Sequence, residues 1–123
     1  MVRTLILNKQ PEIPIACDLD ALAPAERKRR RTLVHAVAQA IVGRVELEHG
    51  FELRVDSARL DLPALAEWIA LERRCCPFLH FRLELAAGDG PVTVALSGAD
   101  GVKDFLRAEM GLPLAAELNK PRS

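Results

Sequence analysis

The residues whose types and spacing could do chemistry are three cysteines: Cys17 alone, and Cys75 beside Cys76 within Glu72-Arg73-Arg74-Cys75-Cys76-Pro77-Phe78. A thiol acts as ligand or nucleophile only as its thiolate. Thiolates select soft ions: zinc, mercury, cuprous copper, or trivalent arsenic offered as arsenite. Three of them suit an ion content with two or three ligands, whereas a structural zinc wants a fourth, and bonds of about 2.3 Å would hold the sulfurs about 3.5 to 4 Å apart. The expected metal ligands are Cys17, Cys75 and Cys76, in a non-enzymatic module that binds a thiophilic metal or metalloid ion. Two alternatives stay open. One is a thiol redox module or sensor, in which Cys75 or Cys76 is oxidised and Cys17 resolves the product as a disulfide. The other is a structural or regulatory domain with its cysteines in the core, using a sheet face or apolar patch to form a homodimer.

An odd cysteine count, with two of the three adjacent, does not suggest a disulfide scaffold. Two local effects on the thiols oppose each other: a helix C-terminus raises a thiol pKa, and Arg73 and Arg74 lower it. Ordinary to mildly activated thiols are expected. Neither His35, His49 nor His80 stands where it would serve as a catalytic base, and no Cys-x-x-Cys, Gly-rich phosphate loop or His-x-x-x-His pair occurs. No catalytic residue and no organic cofactor site is expected.

The elements that must position the thiols are read from periodicity. Pro24 and Glu26 suit the start of a first helix to about Val42, with Leu33, Val34, Val37 and Ile41 as its apolar stripe. Residues 44 to 55 read as a hairpin turning near His49-Gly50, with Val45, Leu47, Phe51, Leu53 and Val55 inward. Glu46, Glu48 and His49 read as exposed, structural residues, because neighbours on a strand point to opposite faces. Asp61 caps a second helix that carries Trp68 in its buried stripe and runs to the cysteine corner. Pro77 pushes Cys76 out of the α region while Cys75 closes the last turn, so the two side chains should diverge. Leu79 to Leu85 and Val92 to Leu96 make a second hairpin, and Asp100 caps a third helix that stops at Gly111. The expected fold is α+β: a single domain, helix-hairpin-helix-hairpin-helix in order, its four-stranded antiparallel sheet covered by helices on one face. Residues 1–16 read as an extended N-terminal arm, 17–111 as the domain and 112–123 as a C-terminal tail.

The 123 residues leave room for one modest core, and 17 basic residues balance 17 acidic ones. A neutral chain with few aromatic residues does not suit nucleic-acid binding. The run Arg27-Lys28-Arg29-Arg30-Arg31 wraps around its helix and reads as a solvated end paired with carboxylates. The apolar start Val2 to Leu7 is too short for a signal peptide or a membrane span, and the chain reads as cytoplasmic. The expected partners are the metal ion and a second copy of the chain.

The segments Ala16-Cys17-Asp18-Leu19, Trp68 to Leu79 with its Cys-Cys-Pro-Phe core, and Ser97 to Leu106 resemble a family of small, uncharacterised bacterial domains. The resemblance spans about residues 16 to 110. Related domains stand alone or near heavy-metal-responsive regulators of the mercury-resistance type. It implies that Cys17, Cys75 and Cys76 form a ligand set, and it implies no activity.

Overall fold

The computed structural model describes residues 14–109. The expected arm, apart from residues 14–16, the helix stop at Gly111 and the tail lie outside these residues. The protein is α+β, with three α-helices interleaved with a four-stranded antiparallel sheet. A 3-10 turn at Leu19–Ala21 precedes α1 (Pro24–Ala40), β1 (Ile41–Leu47), β2 (Gly50–Val55), α2 (Leu62–Cys75), β3 (His80–Leu85), β4 (Val92–Ser97) and α3 (Val102–Glu109). The strands lie in the order β1-β2-β4-β3.

Helix α1 begins where Pro24 needs no N–H partner, and Glu26 accepts the Ala23 N–H at 2.8 Å. It ends two residues earlier than expected, at Ala40, because the β-branched Ile41 and Val42 already belong to β1. Helix α2 is capped by Asp61, which accepts the Ala64 N–H at 2.9 Å. Cys75 is its last residue; Cys76 leaves the helix at φ −126°, ψ 68°, as a residue before proline must.

Rows of side chains cross the sheet in register. On the inner face Leu96 of β4 lies between Phe51 and Phe81, Val94 between Leu53 and Leu83, and Val92 between Val55 and Leu85. Trp68 of α2 lies edge-on to Phe81, with ring centroids 5.9 Å apart, and Leu65, Leu33, Val37 and Leu106 join the same core. Gly50 is obligatory at the β2 entrance: a Cβ there would run into the Leu96 carbonyl of β4.

Strand β1 departs from the expected alternation. A register shift between Ile41 and Gly43 turns Glu46 to the face of Phe51, and leaves Val45 on the opposite face, 54% exposed. Glu46, expected to be exposed, is held by Lys103 at 2.6 Å and Arg107 at 2.8 Å. Both cations also lie over the Phe51 ring, so the carboxylate anchors α3 to the sheet. Their charge holds the Glu46 carboxyl below its ordinary range.

Candidate functional site

The end of α2 brings the three cysteines together. Their sulfurs all lie within 4.8 Å of one another. The N-terminal segment is fastened there by the Asp18 N–H, which donates to the Cys75 carbonyl at 2.6 Å, one of the carbonyls a helix end leaves without a partner. Asp18 also caps the 3-10 turn, accepting the Asp20 N–H at 3.1 Å. Cys17 is half-buried, and Cys75 and Cys76 are fully buried.

Two expectations about the thiols are corrected. Cys17 and Cys76 are joined as a disulfide, leaving Cys75 the only free cysteine of the three. The odd count argued against a scaffold of bridges, yet one bridge closes where the segment Cys17-Asp18 lies against the end of α2. Nor do the adjacent side chains diverge: Cys75 Sγ lies 3.6 Å from Cys76 Sγ. Cys75 is at position i+3 and Cys76 at i+4 from Glu72, so both lean over the same stripe of the helix.

Glu72 is the residue that sequence reasoning missed as part of the site. It is 0% exposed, the one fully buried charged side chain among the described residues. Its Oε1 lies 3.5 Å from Cys76 Sγ and 4.0 Å from Cys75 Sγ. Arg30 of α1, with its side chain 18% exposed, places Nε 3.0 Å from Oε2. That Nε–Oε2 contact is one of charge without a well-aligned hydrogen bond, while Arg30 Nη2 donates to Glu72 Oε1 at 3.4 Å; the buried Trp68 indole N–H has no aligned acceptor among the described residues. Burial pushes the Glu72 carboxyl upward, and Arg30 draws it part of the way back. The Cys75 thiol is also pushed up, first by burial and then by the Glu72 charge. It is therefore not the mildly activated thiol expected from Arg73 and Arg74. Arg74 is committed elsewhere, 2.7 Å from Glu26, and Arg73 is exposed.

Within the run 27–31, Arg29 forms two bonds to Glu67, at 2.8 and 2.9 Å, and Arg30 turns inward to Glu72. His49 and His80 are exposed. His80, Arg82 and Glu84 share the outer face of β3.

The arrangement can do two things. Closed, it holds a bridge whose accessible sulfur is Cys17, the atom an external thiolate would attack first. Opened by a reductant, it presents three converging thiols beside a carboxylate and a guanidinium. No protein-family model, curated protein or solved structure matches the chain. No helix among the described residues is long and apolar enough to cross a membrane.

Proposed function

We propose that the protein binds a thiophilic metal or metalloid ion through Cys17, Cys75 and Cys76 in its reduced form. The convergence of all three sulfurs within 4.8 Å carries this reading. Metal-sulfur bonds of about 2.3 Å need separations of about 4 Å, which small side-chain adjustments reach once the bridge is open. The ion enters from the side of half-buried Cys17. The Cys17–Cys76 bridge is then the closed form, in which two of the three ligands are consumed. A reducing cytoplasm keeps the site open. The resemblance of Cys17 and of Cys75-Cys76-Pro77-Phe78 to small bacterial domains near heavy-metal regulators implies the same.

The reduced protein should bind mercuric ion or arsenite one-to-one, with thiolate-to-metal absorption and an affinity at least tenfold above that of a free dithiol. Each of Cys17→Ser, Cys75→Ser and Cys76→Ser should remove that advantage. Titrations no tighter than the free dithiol would end the reading.

A second reading is favoured by the bridge itself: a thiol redox module using Cys17 and Cys76, with Cys75 a core residue. Cys75→Ser separates the two. Ion binding loses a ligand in this variant, whereas redox cycling of the bridge is retained.

A further inference from the structure

We propose that β3 is the seam of a two-fold symmetric homodimer, in which this strand pairs antiparallel with β3 of a second copy about Leu83 and joins two sheets into one of eight strands. The Ala86 N–H donates to the Pro91 carbonyl at 3.0 Å, so Ala86 faces β4. On the far side of β4, the Gly98 N–H donates to His49 beside β2 at 3.2 Å, so the even-numbered residues of β4 face β2 and its odd-numbered ones face β3. Backbone groups alternate along a strand, and both bonds give the same parity. His80, Arg82 and Glu84 therefore bond to β4, while Phe81, Leu83 and Leu85 turn their N–H and C=O groups outward.

No described strand meets that outer edge. Exposed edges are commonly blunted by bulges, proline or charged side chains, lysine above all; the charges of β3, Arg82 and Glu84, are of opposite sign. The opposite edge, β1, has both a register shift and Gly43. Strand β3 has neither, and its pairing with β4 is unbroken from His80 to Leu85. Its inward side chains are also uncovered: Leu83 is 39% exposed and Leu85 50% exposed. They adjoin a groove of about 430 Å³ between β3 and α2, where Ala66, Ile69 and Phe81 supply apolar wall.

The strand is complementary to itself in one register. Centred on Leu83, the pairing sets Leu83 against Leu83 of the second copy and Phe81 against Leu85, all with outward-facing backbones. On the other face Arg82 stands opposite Glu84, and Glu84 opposite Arg82. Arg82 can do so, being 63% exposed and no nearer than 4.0 Å to the carboxylate of Glu52, a long and weak pair. A slip of two residues centres the pairing on Arg82 or on Glu84 and sets like charges face to face. A slip of one residue opposes outward to inward backbones. Slips of four keep parity but pair three residues of β3 or fewer, so charge, parity and length together favour the Leu83 register, and the contact is isologous, as a closed dimer requires.

Sedimentation of the full chain from about 5 to 500 μM should show a monomer-dimer equilibrium. Leu83→Lys, which places two ammonium groups on the symmetry axis, should give a monomer whose melting curve matches that of the dilute, monomeric wild type. Arg82→Glu should weaken dimerisation at least tenfold, and Arg82→Glu with Glu84→Arg should restore it. Amide exchange should slow with concentration at Phe81, Leu83 and Leu85 only. A wild-type monomer throughout the range overturns the proposal, as does a double charge swap that fails to rescue. A monomer whose outward amides are already protected overturns it too, assigning the edge to residues of the same chain outside 14–109.

Discussion

Arg30→Met should destabilise the protein by up to about 3 kcal/mol at pH 7 and by less than about 1 kcal/mol at pH 5. Removing one partner of a buried ion pair typically costs about 3–5 kcal/mol, because the other charge is left without compensation. Glu72 has an escape, which is to take up a proton. From an ordinary value of 4.5, protonation at pH 7 costs about 1.36 kcal/mol for each of about 2.5 pH units, which caps the loss near 3 kcal/mol. At pH 5 the same arithmetic gives about 0.7 kcal/mol. The sign follows from linkage. A carboxyl raised in the folded state favours folding fully below its unfolded value, and that advantage is lost as pH rises toward the folded value. Losing Arg30 raises the folded value further, so the gap between wild type and variant widens from about pH 4.5 upward. Glu26, Glu46 and Glu67 are held low by Arg74, Lys103 and Arg29 respectively, and act in the opposite sense, losing their contribution as pH falls. They are common to both proteins and cancel in the difference. Denaturant unfolding at pH 5, 6 and 7, repeated in a Glu72→Gln background where the slope should vanish, checks the prediction. A loss independent of pH would mean that Arg30 matters only through its packing.

Reduction of the Cys17–Cys76 bridge should lower Tm by about 10–20 °C. The bridge spans 59 residues, for which loop-closure entropy gives about 4 kcal/mol, an upper estimate. Cys17→Ser should melt at the temperature of the reduced wild type and ignore reductant, whereas Cys75→Ser should keep the full response. Thiol titration of the denatured, unreduced protein should find one thiol per chain, that of Cys75. Three thiols and a Tm indifferent to reductant would show that the bridge does not form. An ion bound by all three sulfurs should recover part of the lost stability, since it also ties the arm to the corner.

Much of the frame was legible in the sequence, because it rests on local rules. Pro77 fixed the end of α2 at Cys75, and alternation placed Phe51, Leu53, Val94 and Leu96 in the core. The parity of β1 was not legible: the shift beside Gly43 moves every later side chain to the other face. Glu72 did leave a signal, a carboxylate four residues after Trp68 and seven after Leu65, on the buried stripe of α2. Its partner left none. Arg30 is one of five consecutive cations, 42 residues away, and only the packing of α1 against α2 selects it. The bridge was hidden for the same reason, since only tertiary packing sets Cys17 and Asp18 against the end of α2.

The central claim is that three sulfurs act on one ion, and X-ray absorption at the arsenic edge of the reduced protein with one equivalent of arsenite tests it most directly. Arsenic bound by three sulfurs and no oxygen, falling to two sulfurs in Cys17→Ser, is the result expected. Two sulfurs and an oxygen in the wild type, unchanged by Cys17→Ser, would contradict it and leave Cys75 and Cys76 as an ordinary vicinal pair.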